Sequence, residues 1–302
     1  MSIEITASLV EQYCGNVQAL VQQKGSKLRN VVGIESVRGK NAYIDQIGQV
    51  AAVKKTTRHA DTPRMDTPHK RRRLTLETYN WADLIDNDDK VRMLIDPTSE
   101  YSNAAAWAMG RAMDQAIIEA ALGTAYTGET GATEVALPAS QVIDAACASK
   151  FTFDKLRQVK RLFDSNDVPM EGRYIVLSAA QLDDLLSETK VTSSDYAAAK
   201  SLVQGELESF MGFHFIQLNA KKADGKLILP EVMSTAETPA KIGRSCVAFH
   251  SEGIKLGIGQ DIVGKITERD DKCFATQVYY EMSIGAARMQ EELVIKINCK
   301  ES

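Results

Sequence analysis

The chain has 302 residues, 44% hydrophobic, 25% charged and 6% aromatic, a composition that can bury a large core without staples. Its 36 basic and 40 acidic side chains leave a formal charge of -4, which excludes a histone-like basic protein and a disordered acidic tail. No charge-free run exceeds twelve residues, too few to span a bilayer, and Glu4 stands where a secretory signal would be basic, so the chain is expected to be made and kept in the cytoplasm.

The first thirty residues read as an arm with a short helix. Leu9, Val10, Tyr13, Val17, Leu20 and Val21 recur at helical spacing, and Gly25 is a stop. From Val31 to Thr57 the β-branched residues predict strands, with Gly33, Gly39 and Gly48 at turns or bulges. HADTPRMDTPH follows, a loop tip in which Asp and Pro favour turns. RRRLTLETYNW leaves it as a strand, so Ala42 to Trp81 is expected to form a long hairpin with a basic tip. Such a hairpin is marginal alone and must lie on its own domain or a neighbouring subunit.

Asp96-Pro97-Thr98-Ser99 announces a helix from Ser99 to Leu122, roughly 36 Å long at 1.5 Å per residue, with Gly123 as its stop. Tyr101, Ala105, Ala108, Met109, Ala112, Met113, Ala116 and Ala120 define its apolar face; Arg111, Asp114, Gln115 and Glu119 are expected on the opposite one. GTAYTGETGATE reads as a linker. A second unit follows: a helix over FTFDKLRQVKRLFDS, a buried strand at Tyr174–Leu177, a capped helix from Ser178 to Leu186, a further helix in VTSSDYAAAKSLVQGELESF, and a strand over Phe213–Leu218. Strands return in CVAFHSEGIKLGIG, GKITERDD, CFATQVYYEMSIG and ELVIKIN, so the class is α+β.

Signs of catalysis are weak. Gly259 to Ile266 resembles a phosphate-binding loop, but Ile266 stands where Ser or Thr must hold the metal, and the segment reads as strand. Gly257 and Gly259 supply only part of a dinucleotide fingerprint. Asp86-Asn87-Asp88-Asp89 lacks the Gly and distant Glu of a calcium loop. Cys14, Cys147, Cys246, Cys273 and Cys299 are too scattered for a metal or disulfide framework, and His59, His69, His214 and His250 complete no site. Asp183-Asp184 and Glu291-Glu292 read as solvated charges. No catalytic residue, cofactor or metal is expected.

Charge, by contrast, is unevenly spread. Between Lys54 and Arg73 eight basic residues face two acidic ones, a net +6 that leaves -10 on the other 282 residues. Asp83, Asp86, Asp88 and Asp89 follow immediately. The tract reads as a solvated loop, a nucleic-acid patch over 54–73, or an arm that docks on an acidic surface of another copy; the last suits a projecting hairpin best, because repeated subunits use self-complementary charge to fix register.

The order of these segments, with WADLIDNDDKVRMLIDPTSEYSNAAAWAMGRAMDQAIIEAALG and FDKLRQVKRLFDSNDVPMEGRYIVLSAAQLDDLL, resembles the major capsid proteins of tailed bacteriophages with the Hong Kong 97 fold. The resemblance implies an N-terminal arm over 1–39, an E-loop hairpin over 40–80, a peripheral P-domain with its spine helix over 81–149, a central A-domain over 150–254 and returning P-domain strands over 255–302. It implies a coat protein that assembles through hexamers and pentamers into an icosahedral head around double-stranded DNA, built in the host cytoplasm and residing in the virion. A separate scaffolding protein, a portal, decoration proteins and non-specifically held DNA are the implied partners. Lys54, Lys55, Arg58, Arg64, Arg71, Arg72 and Arg73 would meet acidic partners on a neighbour, with Asp83, Asp86, Asp88 and Asp89 as candidates.

Overall fold

A computed structural model describes residues 22–58, 61–62, 65–86, 98–187, 209–222, 224–233 and 242–301, with 98–100 described as backbone only. The expected arm helix over 9–21, Cys14, His59, Arg64, Asp88, Asp89 and the helix expected between 191 and 208 lie outside the described residues.

The strands in chain order are β1 (Gly33–Ser36), β2 (Asn41–Ile47), β3 (His69–Thr75), β4 (Glu77–Ile85), β5 (Ala125–Thr127), β6 (Thr133–Val135), β7 (Val142–Ile143), β8 (Arg173–Leu177), β9 (Ser209–Phe210), β10 (Phe213–Gln217), β11 (Glu231–Met233), β12 (Ile242–His250), β13 (Ile254–Arg269), β14 (Ala275–Arg288) and β15 (Val294–Lys300). The helices are α1 (Thr98–Leu122), α2 (Phe153–Ser165) and α3 (Ala179–Leu186). Three sheets result: a peripheral one in the order β1-β13-β14-β4, a central one in the order β7-β15-β12-β8-β10-β9 with β11 beside β12, and a hairpin sheet in the order β2-β3-β5-β6.

The spine helix α1 is shared by two sheets. Met109, Met113, Ile117, Ile118 and Ala121 pack with Leu256 of β13, Met282 and Ile284 of β14, and Val176, Val247 and Phe249 of the central sheet. Each such large side chain contributes about 1.5–3 kcal/mol on full burial. The central sheet's other face is covered by α2 and α3, through Leu156, Val159, Phe163 and Leu185 against Ile175, Leu177, Cys246, Ala248, Ile295 and Ile297. Covered on both faces, β12 is buried at every position after Ile242, as a core strand between two helical layers must be. Thr152 caps α2 by accepting the Lys155 N–H at 3.4 Å. At the start of α3 the Gln181 side chain accepts the Ser178 N–H at 3.2 Å.

Several expectations change. The supposed linker GTAYTGETGATE contains β5 and β6, which extend the hairpin sheet through Arg72↔Thr127 and Arg73↔Tyr126. ELVIKIN forms β15, which pairs with β12 in the central sheet rather than with the returning peripheral strands. Asp114 lies on no solvent face and is wholly buried. Gly123 ends α1 without a left-handed φ; its constraint is space, because a Cβ there would lie 2.6 Å from the Glu119 carbonyl oxygen. Asp184 is buried and paired with Lys150 at 3.1 Å, and Glu291 is equally engaged, as described below.

Glycines sit where the hairpin crosses the peripheral sheet. Gly257 and Gly285 are direct partners across β13 and β14. A Cβ on Gly257 would lie 2.5 Å from Leu74, and one on Gly285 would strike the Thr75 carbonyl. The fragment that resembled a dinucleotide fingerprint is therefore a notch that lets Leu74 to Leu76 pass close over the sheet.

Candidate assembly interface

The hairpin rises from that notch. β2 and β3 pair over seven positions, from Asn41↔Thr75 to Ile47↔His69, and the Gly48 N–H donates to the Pro68 carbonyl at 2.8 Å as the last rung. Beyond it, none of the described residues up to Pro68 lies in a strand.

At the base, basic side chains find partners within their own chain. Arg71 donates to Asp45 at 2.6 and 3.2 Å, and this contact holds the Asp45 carboxyl below its usual value. Arg72, only 4% exposed, donates to the Met289 carbonyl at 2.9 Å and to both Glu291 oxygens at 2.6 and 2.7 Å. The Arg73 guanidinium lies over the Tyr126 ring, 4.5 Å from its centre. Arg288, wholly buried, approaches Glu291 at 3.6 Å and donates to the carbonyls of Ala121, Gly123 and Val135 at 2.9, 2.7 and 2.9 Å. One carboxylate, Glu291, thus neutralises two buried arginines and ties the hairpin, the end of α1 and β14 together. Burial holds the Arg288 guanidinium below its usual value.

The tip is different. Residues 51–58 are all exposed, among them Lys54, Lys55 and Arg58, and no ion pair engages these three among the described residues. Exposed apolar side chains interleave with them: Ile47 at 70%, Val50 at 55%, Val53 at 58% and Met65 at 45%. Of the acidic group, Asp83 is half-buried on β4, where it accepts the Leu84 N–H at 2.9 Å, and Asp86 is exposed. No ion pair joins the tract 54–73 to Asp83 or Asp86 among the described residues.

Sequence reasoning missed Glu291, Arg288 and Asp114. Glu291 had a signal in its i,i+3 spacing from Arg288. Asp114 had one in its setting, with Met113 before it and Ile117 and Ile118 one turn on.

The phosphate-loop candidate is strand. Gln260 to Lys265 pairs along β14 from Ser283 to Tyr279, and Gly264 lies against the Tyr280 ring. Among the described residues, no group of three His, Cys, Asp or Glu is arranged to hold a metal, and no helix is long and apolar enough to cross a membrane. His250 accepts the Glu252 N–H and contacts the Glu171 carbonyl at 2.8 Å. Cys147, Cys246, Cys273 and Cys299 are free thiols.

A family model for phage capsid proteins matches residues 5–301. No curated protein sequence matches the chain. Among solved structures, the capsid chain of cyanophage P-SCSP1u is similar with a TM-score of 0.72 at 17% identity, covering 99% of this chain and 95% of that one. The head protein of Helicobacter pylori bacteriophage KHP40 is similar with a TM-score of 0.74 at 10% identity, covering 99% and 98%. A chain of Mycobacterium phage Che8 gives 0.65 at 19% identity over 95% and 96%. Peripheral sheet, shared spine helix, central sheet and crossing hairpin are thus the architecture of capsid subunits, as the Hong Kong 97 resemblance implied, and the chain belongs to the phage capsid protein family, a structural protein of the virion's shell.

Proposed function

We propose that the subunit closes into hexamers and pentamers by laying its hairpin tip across the next subunit, with the tip's exposed cations and apolar residues as the docking surface. The supporting observation is the contrast along one tract: Arg71, Arg72 and Arg73 have partners in their own chain, whereas Lys54, Lys55 and Arg58 are exposed, as are Val50, Val53 and Met65 of the same segment. A core of apolar contact with charges around it is the composition of a protein interface. Asp83 and Asp86, with Asp88 and Asp89, are the acidic residues proposed to receive Lys54, Lys55, Arg58 and Arg64. Each exposed pair is weak, about 0–1 kcal/mol, and acts by selecting one geometry repeated through a shell. The subunit divides into an arm (1–39), E-loop (40–80), P-domain (81–149 and 255–302) and A-domain (150–254), with β15 lent to the central sheet. A separate scaffolding protein, a portal, decoration proteins and packaged DNA complete the proposed partners, and the role requires no catalytic step. The rival use of 54–73 as a nucleic-acid patch is disfavoured, since Arg71–Arg73 are engaged at the base.

Negative-stain imaging of purified protein tests this. The native chain is expected to give shells, tubes or rings, and the triple variant Lys54→Glu, Lys55→Glu, Arg58→Glu to give folded, unassembled subunits. Shells of unchanged diameter and yield from the variant would refute the role of the tip.

A further inference from the structure

The segment entering from the N-terminus crosses the spine helix α1 at Gly110. Asp114 fixes it there: its carboxylate accepts from Gln23 Nε2 at 2.5 Å, Ser26 Oγ at 2.6 Å and the backbone N–H groups of Lys27 and Leu28 at about 3 Å. Gly110 leaves room for the crossing, since a Cβ on it would lie 2.6 Å from the Ser26 nitrogen. The crossing segment, the helix and the turn after β10 enclose a cleft of about 510 Å³ lined by Gln22, Gln23, Lys27, Arg111, Asn219 and Lys221.

Every charged side chain lining this cleft is basic. Lys27 donates to the Gln217 carbonyl at 2.8 Å, and Arg111 to Gln22 Oε1 and the Gln23 carbonyl at 2.8 and 3.4 Å. None of Lys24, Lys27, Arg111 and Lys221 has a carboxylate partner among the described residues. The neighbouring acids are already used: Asp114 is wholly buried under four donors, and Glu119 is held by Lys222 at 2.8 Å and Gln115 at 2.9 Å. Burial holds the Arg111 guanidinium below its usual value. The remaining lining is amide, with Ala220 as the one apolar side chain.

We infer that this cleft binds the phosphate backbone of nucleic acid, without reading its sequence. Lys, Arg, Asn and Gln side chains are the groups that hold phosphates. A protein partner would instead be met by the apolar or aromatic anchors that interfaces need, which the cleft lacks. No side chain in it offers a ring for base stacking, so contact stops at the backbone. The inference rests on the reading that the subunit lines a DNA-filled shell, and it assigns the contact to the spine-helix cleft rather than to the hairpin.

Fluorescence anisotropy with a short double-stranded DNA of arbitrary sequence, titrated across salt, tests it on the full chain. With three phosphates engaged, affinity falls roughly forty-fold between 50 and 200 mM salt. The variant Lys27→Gln, Arg111→Gln, Lys221→Gln is expected to lower the slope of log affinity on log salt by about 2–3, and Lys27→Gln with Lys221→Gln, which alters exposed side chains only, by about 2. Lys27→Arg with Lys221→Arg should keep the native slope. An unchanged slope in the Gln variants overturns the inference. So does displacement of DNA by polyglutamate at equal charge, which would assign the cleft to an acidic protein segment. Imaging the same preparations separates the two readings: shells with an unaltered slope remove only this inference, whereas native protein that never assembles removes the shell reading itself.

Discussion

The two ends of one hairpin carry the same residue types and meet opposite fates. At the base, Arg72 and Leu74 alternate inward on β3, and strand periodicity puts both on the buried face. Past the last rung at Gly48 and Pro68, none of the described residues of the tip lies in a strand, and Lys54, Lys55 and Arg58 are exposed. Basic charge therefore does two jobs within twenty residues. The base uses it to fasten a projecting element to its own subunit, whereas Lys54, Lys55 and Arg58 at the tip form no ion pair among the described residues.

The largest effect expected from breaking this contrast comes from Glu291. Replacing it by Ala strands Arg72 and Arg288, 4% and 0% exposed, without their shared carboxylate. Removing one partner from a buried pair costs about 3–5 kcal/mol, and the denaturant midpoint should fall accordingly. Arg71→Ala, which breaks an exposed, solvent-screened pair with Asp45, should move the midpoint far less. Equal losses for the two substitutions would erase the distinction between buried and exposed pairs at the base.

The same alternation explains what the sequence made legible. The paired part of the hairpin, the spine helix and the central helices were readable because long periodic runs and Gly or Pro punctuation leave few alternatives, whereas Glu77–Trp81, expected in the hairpin, belongs to β4 and pairs with β14. β5 and β6 were not, since three-residue strands carry no period and exist only because β3 offers an edge. ELVIKIN reads as a strand whichever sheet takes it, and the choice of β12 as its partner is a long-range one. For the interface, strand alternation alone would have separated Arg72 from Lys54 and Lys55. The carboxylate awaiting Arg72 lies 219 residues away and is invisible to local pattern.

The spine-helix crossing offers the next largest effect, and it asks whether a second element is fastened as firmly as the hairpin base. Asp114→Ala leaves the Lys27 and Leu28 N–H groups without their acceptor, at about 1–3 kcal/mol. Gly110→Ala forces a methyl group against the Gly25–Ser26 backbone, for a similar loss of about 1–3 kcal/mol. In both, hydrogen exchange at Leu28 should accelerate while amides of β12 keep their protection. Uniform acceleration across the core would mean the crossing has no independence.

A smaller effect is set by pH. Burial alone would raise the Asp144 carboxyl, but the Lys155 ammonium at 2.8 Å and the N–H groups of Ala148 and Ser149 at 3.0 Å outweigh it and bring it to about 2 from an ordinary 3.8. Between those values the unfolded chain binds the proton and the folded chain does not. The contribution is therefore complete above about pH 4 and is lost as pH falls toward 2. Asp144→Asn should flatten that part of the stability profile, measured by denaturant midpoint from pH 5 down to 2. A profile identical to the native one would remove Asp144 as its source.

The smallest effect is the one that defines the tip. Lys54→Ala, Lys55→Ala and Arg58→Ala touch exposed side chains with no ion pair in their own chain, so each should leave subunit stability within about 0.5 kcal/mol of native. Under the proposed docking of the tip on a neighbouring subunit, shell yield should fall all the same. Unfolding midpoints measured on unassembled protein, beside the shell yield of the same samples, separate the two. A tip that lowers the midpoint as Glu291→Ala does would be fastened to its own subunit after all, and the division between base and tip would fall with it.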